Sequence, residues 1–200
     1  MISLTTRAPM LLAVAFTIVA CASAPLEEAP IVPADRGETI VYLVRHAEKA
    51  TNDPVDPDLS VRGFARADSL ASQLRDAGIN VIITTNLLRT IQTAAPIARA
   101  RHITPEVVPV VGSASAHIDS VVAAIRRHKG GTILVVGHSN TIGRIAEKLG
   151  GGKVGDVCDN EYANLLIVSM PRAKPTKLLV ESYGVSDPPG DGTCTPMLSR

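Results

Sequence analysis

Thr39-Ile40-Val41-Tyr42-Leu43-Val44-Arg45-His46-Ala47-Glu48-Lys49 begins with six apolar or β-branched residues and then turns abruptly polar. A continuous run of this kind predicts a strand buried on both faces, as in a parallel sheet covered by helices. Val81–Thr84, Val107–Val111, Thr132–Val136, Leu165–Val168 and Lys177–Val180 read in the same way. Helical stripes lie between them. Ser60 is placed to cap a helix with apolar positions Phe64, Ala67, Leu70, Ala71 and Leu74, and Gly78 stands just past its end. Leu87, Leu88, Ile91, Ala94, Ala95 and Ala98 form a second stripe, with a kink or restart expected at Pro96. Ile118, Val121, Val122 and Ile125 form a third, and Ile142, Ile145, Ala146 and Leu149 a fourth. Strands alternating with helices predict an α/β fold: a three-layer sandwich with a mostly parallel central sheet flanked by helices.

Sheets of this type bind ligands at the carboxyl ends of their strands, so the residues just after each strand carry the most information. Arg45-His46 follow the first strand, Thr85-Asn86 with Arg89 the second, and His138-Ser139-Asn140 the fourth. Two arginines and two histidines from distant parts of the chain should therefore meet. The meeting point is positive in a chain that is otherwise balanced, with 20 Lys+Arg against 19 Asp+Glu. That chemistry suits a phosphate, whose oxygens accept from forked guanidinium donors and from N–H groups at helix N-termini. A formal charge of +1 and the small number of aromatics argue against a nucleic-acid binder. Arg126-Arg127-His128-Lys129 reads as cations meeting the dipole at a helix C-terminus. Cys and His spacings of metal sites are absent, and no metal or other cofactor is expected.

The N-terminal segment has Arg7 as its one charge, followed by an apolar run of 11 residues from Met10 to Ala20. Spanning a bilayer takes about 20, so residues 1–20 are expected to be a secretory signal peptide. Ile18-Val19-Ala20-Cys21 resembles the lipobox of bacterial lipoproteins, in which Cys21 would carry lipid as the first mature residue. Ala22-Ser23-Ala24 is the competing site for ordinary cleavage. The first alternative predicts a membrane-anchored lipoprotein facing the periplasm or cell exterior, the second a soluble exported protein. Residues 21–37 then read as a proline-rich tether and 38–200 as a single domain. In an oxidising compartment Cys158 and Cys194 are expected to pair. Such a bridge closes a loop of 37 residues, for a stabilisation of about 3–4 kcal/mol in the chain-entropy picture.

Four blocks carry a family resemblance. Leu43-Val44-Arg45-His46-Ala47-Glu48-Lys49 resembles the Arg-His-Gly signature of the histidine phosphatase superfamily, the phosphoglycerate-mutase-like fold, with Ala47 in place of Gly. Leu59-Ser60-Val61-Arg62-Gly63 with Ala67 resembles its Leu-Ser block. Thr85-Asn86-Leu87-Leu88-Arg89-Thr90-Ile91-Gln92-Thr93-Ala94 resembles its second-arginine block, and Val135-Val136-Gly137-His138-Ser139-Asn140 its second-histidine block. The resemblance implies a phosphatase in which His46 is the nucleophile and carries a phosphohistidine. Arg45, Arg89 and His138 would bind the phosphoryl oxygens, with Asn52 as a further substrate contact and no metal required. The implied substrate is a small phosphorylated compound. A phosphohistidine phosphatase is one alternative, and a non-catalytic envelope lipoprotein that binds an anionic ligand is another. The family's acidic proton donor is missing from its usual places, which leaves His117, Asp119 and Glu48 as candidates. Glu48-Lys49 otherwise reads as an exposed ion pair.

Overall fold

The computed structural model describes residues 37–154 and 156–188. The expected signal peptide, Cys21, the tether up to residue 36 and Cys194 lie outside the described residues.

Six strands and four helices follow one another as β1 (Glu38–Arg45), α1 (Val61–Gln73), β2 (Val81–Thr84), α2 (Leu88–Arg101), β3 (Glu106–Val107), α3 (Ala114–Arg127), β4 (Thr132–Gly137), α4 (Ile142–Lys148), β5 (Asn164–Pro171) and β6 (Lys177–Ser182). They form one sheet in the order β3-β2-β4-β1-β5-β6. The first four positions pair in parallel, whereas β5 runs antiparallel to β1 and β6 antiparallel to β5. The mostly parallel α/β sandwich read from the sequence is the observed fold.

The two faces of the sheet are covered by different helices. Ile118, Val122 and Ile125 of α3 and Ile142 and Ile145 of α4 pack with Val41, Leu43, Ile83 and Val135. On the opposite face Leu70 of α1 and Ala94 and Ile97 of α2 pack with Val44, Ile82, Leu134 and Leu165. β4 is buried along its whole length, which is why its sequence TILVVG shows no alternation. Ser60 caps α1 as expected, its side chain accepting from the Gly63 N–H at 3.1 Å.

Three expectations need correction. α2 runs through Pro96 as one helix rather than restarting there. β3 is two residues long instead of five: after Val108 donates to the Thr84 carbonyl at 2.8 Å, Pro109 has no N–H to continue the ladder. Finally, Phe64, Leu88 and Ile91 belong to the apolar stripes yet are exposed, at 47%, 41% and 37%. α1 and α2 bury a narrower face than their sequences suggest, and the aliphatic residues of their first turns stay outside.

Candidate active site

β1 and β4 are neighbours in parallel register, with Arg45 opposite Gly137, so the residues that follow them emerge side by side. The His46 N–H donates to the Gly137 carbonyl at 2.9 Å, and the rings of His46 and His138 meet edge to face at 5.4 Å between centroids. Arg89 enters from the first turn of α2, beyond the end of β2. Four residues separated by up to 93 positions thus share one end of the sheet.

Each is held by a specific local device. His46 is 5% exposed, and its Nδ1 lies 2.8 Å from the Ala47 carbonyl. A carbonyl only accepts, so Nδ1 carries the proton and Nε2 keeps the lone pair. Burial holds the ring's pKa down to about 3, aided by the charges of Arg45, His138 and Arg89 and opposed by the Ala47 hydrogen bond. His138 is lowered to about 4, first by burial and then by Arg89, His117 and Arg45. Both rings are therefore neutral at ordinary pH.

Arg45 is cradled by carbonyls. Its Nη1 donates to Cys158 O and Asp159 O at 2.9 Å and to Glu161 O at 3.0 Å, while its guanidinium carbon sits 4.2 Å from the centre of the Tyr162 ring. This fixes one arm of the fork. Arg89 is placed by Asp56, whose carboxylate lies 3.6 Å from Nη1 and accepts from the Leu88 N–H at 3.0 Å, the first turn of the same helix. Burial lowers the Arg89 guanidinium, with Arg45 adding to the effect and Asp56 opposing it. Arg45 Nε, Arg89 Nε and His138 Nε2 are all buried without a hydrogen-bond partner. Unsatisfied buried polar atoms are uncommon, and two guanidinium donors beside two neutral histidines mark a place built for an acceptor-rich group.

The motif residues between these four are the frame. Thr93 Oγ1 donates to the Arg89 carbonyl at 2.7 Å and accepts from the Ala47 N–H at 2.9 Å, which ties the second arginine to the residue after His46. Gln92 bridges α2 to the loop, accepting from the Leu59 N–H at 2.8 Å and donating to Asp58 at 2.6 Å. Gly63 is pressed against the chain after the nucleophile, since a Cβ there would stand 2.2 Å from the Glu48 carbonyl oxygen. Ala47, where the signature has Gly, fits because its methyl packs with Leu59 and Ala67.

The remaining sequence candidates make other contacts. Asn52 is in an exposed loop, its amide donating to Asp58 at 2.6 Å and accepting from the Asp58 N–H at 3.2 Å. Glu48 does not form an exposed pair with Lys49. Its side chain is 14% exposed and accepts from Arg66 Nε and Nη2 at 2.9–3.0 Å and from Arg62 at 2.9 Å. Burial alone would raise its carboxyl, but these cations bring it below the ordinary value. Asp119 pairs with Lys148. His117 is 3% exposed, with Nδ1 3.1 Å from the Pro109 carbonyl, and its charge is felt at His138. Cys158 is buried, and its expected partner lies outside the described residues. Among the described residues no cluster of His, Cys, Asp or Glu is arranged to hold a metal ion, and no helix is long and apolar enough to cross a membrane.

Sequence reasoning missed Arg66, Tyr162 and Asp187. Arg66 is a charge on the buried face of α1 between Gly63 and Leu70, a placement that itself signals a buried ion pair. Its partners are Glu48 and, at 3.4 Å, Asp187. Asp187 also accepts from the Tyr162 and Ala163 N–H groups at 2.9 Å, and nothing in the turn-like sequence around it announced this.

Residues 41–111 match the sequence profile of the histidine phosphatase superfamily (branch 1). Phosphoserine phosphatase 1 of Hydrogenobacter thermophilus is 44% identical over 70 residues, 32% of this chain and 33% of that protein. A probable phosphoglycerate mutase of Proteus mirabilis is 41% identical over 66 residues, 30% of this chain and 31% of that protein. The match thus spans about a third of the length of these curated relatives. The fold reaches further than the sequence match. The histidine phosphatase SixA, solved with tungstate, superposes with a TM-score of 0.58 at 18% identity, covering 72% of this chain and 96% of that one. The α-ribazole phosphatase of Shigella flexneri gives 0.60 at 16% identity, covering 74% and 99%. The matched histidine phosphatase segment holds Arg45, His46 and Arg89. His138 lies beyond it and joins the site through the pairing of β4 with β1.

Proposed function

We propose that this chain is a histidine-type phosphatase that hydrolyses a phosphomonoester through a phosphohistidine on His46, without a metal ion. The three partnerless polar atoms Arg45 Nε, Arg89 Nε and His138 Nε2 around a neutral, Nδ1-anchored His46 carry this reading.

The phosphoryl group binds with its oxygens on the two guanidinium groups and on His138. For His138 Nε2 to donate, its proton must sit on that nitrogen. His46 Nε2 attacks phosphorus, an N–P bond forms and the opposite P–O bond breaks, with the arginines holding the charge on the equatorial oxygens. The departing oxygen takes a proton. Of the three candidate donors, Glu48 and Asp119 are engaged in ion pairs. His117, buried in the first turn of α3 beside His138, is the one that fits. Water then attacks phosphorus and returns a proton to His117, the N–P bond breaks, and phosphate leaves with His46 restored.

The export reading rests on Arg7, the apolar run to Ala20 and Cys21. Mass analysis of the native N-terminus would test it, intact Met1 being the contrary result. For the catalytic reading, an aryl phosphate should be turned over by the full chain and not by His46→Ala at equal folded concentration. Undiminished turnover by a folded His46→Ala protein removes His46 from the mechanism.

A further inference from the structure

We infer that the substrate presents an aliphatic leaving group, such as the chain of an alkyl or acyl-bearing phosphomonoester, which lies across an apolar rim formed by Val55, Leu88, Val110 and Val111. This rests on the phosphatase reading above and specifies its substrate class.

Displacement at phosphorus proceeds in line, so the leaving oxygen points away from His46 Nε2. His46 is 5% exposed and forms the floor of the site, which directs the organic part of the substrate outward across the mouth. The mouth is bounded by two stretches that the hydrogen bonds locate. On one side the Leu88 N–H donates to Asp56, the carboxylate that pairs with Arg89, and Val55 precedes Asp56 in the chain. On the other the Val110 N–H donates at 2.9 Å to Asn86, which lies just past the end of β2, and Val111 follows. The exposures are 81% for Val55, 41% for Leu88, 43% for Val110 and 71% for Val111. Aliphatic side chains this open, on chain segments tied to the Arg89 end of α2 and to the end of β2, offer a surface for an apolar partner.

The carboxylates of the same loop are engaged by backbone and side-chain N–H groups. Asp53 accepts from the Val55 and Asp56 N–H groups, Asp56 from Leu88, and Asp58 from Asn52 and Gln92. A leaving group rich in hydroxyl or carboxylate groups would find these carboxylates committed and valines in front of it. An aliphatic chain would find contact along both sides.

The test measures binding of n-alkyl phosphates, ethyl to octyl and below their micelle concentrations, to the full chain carrying His46→Ala, so that no turnover intervenes. Inorganic phosphate serves as the reference ligand. Half-sided burial of each methylene gives an expected gain of about twofold in affinity per carbon. The Val55→Ser/Val111→Ser double variant should flatten that slope. A slope of zero in the parent protein overturns the inference, and so does an equal slope in parent and double variant. A variant that weakens all ligands alike leaves the slope equal and counts against the rim. Failure of the catalytic reading appears separately, as aryl phosphate turnover that survives His46→Ala, or as no turnover at all in the protein with His46 intact.

Discussion

The parallel and antiparallel halves of the sheet both reach the site, but they contribute differently. β1, β2 and β4 end in the groups that would touch a phosphoryl oxygen or phosphorus: Arg45, His46, Arg89 by way of α2, and His138. The segment leading into β5 supplies no such donor. It gives the carbonyls of Cys158, Asp159 and Glu161 and the ring of Tyr162, which together hold Arg45. Asp187, beyond β6, fastens that segment and Arg66 at once, so it joins the frame behind Glu48 to the cradle of Arg45. In the proposed reaction one half would act on the substrate and the other would fix where it acts.

The sharpest way to break this division is to alter the residue both halves share. Arg45→Lys keeps the charge but loses the fork, since an ammonium that reaches the carbonyl cradle has no second arm for the phosphate. A fall of about 100-fold or more in kcat/KM is expected with the fold retained. A loss below about tenfold would mean that the cradle serves packing alone.

Gly63→Ala strikes the frame of the parallel half. Its Cβ meets the Glu48 carbonyl oxygen at 2.2 Å, so backbone has to move. Denaturant unfolding should show a loss of about 2–3 kcal/mol, and a change smaller than about 0.5 kcal/mol would contradict the close approach.

The two buried histidines make a pH-dependent contribution. Their folded pKa values are about 3 and about 4, against 6.5 when unexposed to these surroundings. As pH falls below 6.5 the unfolded chain takes up protons that the folded chain refuses, so stability is fully present above pH 6.5 and is lost progressively down to about pH 4 for His138 and about pH 3 for His46. The loss for the pair is on the order of several kcal/mol. His138→Gln should shallow that slope, read as the denaturation midpoint at pH 7 and at pH 4.5, and an unchanged slope would show that His138 does not stay neutral.

Asp187→Asn should have the smallest effect, about tenfold in kcat/KM, because one acceptor survives while the other is replaced by an N–H that faces a backbone donor. Asp187→Glu should recover part of it. A loss of stability with kcat/KM intact would make Asp187 a fastening of the tail alone.

These differences parallel what could be read in the sequence. The acting half was legible because buried parallel strands are continuous apolar runs and the reactive residues follow them directly, as Arg45-His46 and Gly137-His138 do. The positioning half was not. Arg45 meets Asp159 across 114 positions and Arg66 meets Asp187 across 121, and no local pattern encodes contacts of that span. The family resemblance assigns Asn52 a substrate contact, but its amide donates to a neighbouring Asp58. Apolar periodicity likewise assigned Leu88 and Ile91 to the core, whereas both stand exposed on the first turn of α2.

The central claim is a covalent phosphohistidine on the floor of the pocket, and rapid quenching of the full chain into alkaline denaturant during turnover of a reactive phosphodonor tests it most directly. Peptide mass analysis should find one added phosphoryl group on the peptide containing His46, lost on acidification and absent from His46→Ala. A phosphoryl group on another residue, or turnover with none on His46 at any quench time, would contradict the account.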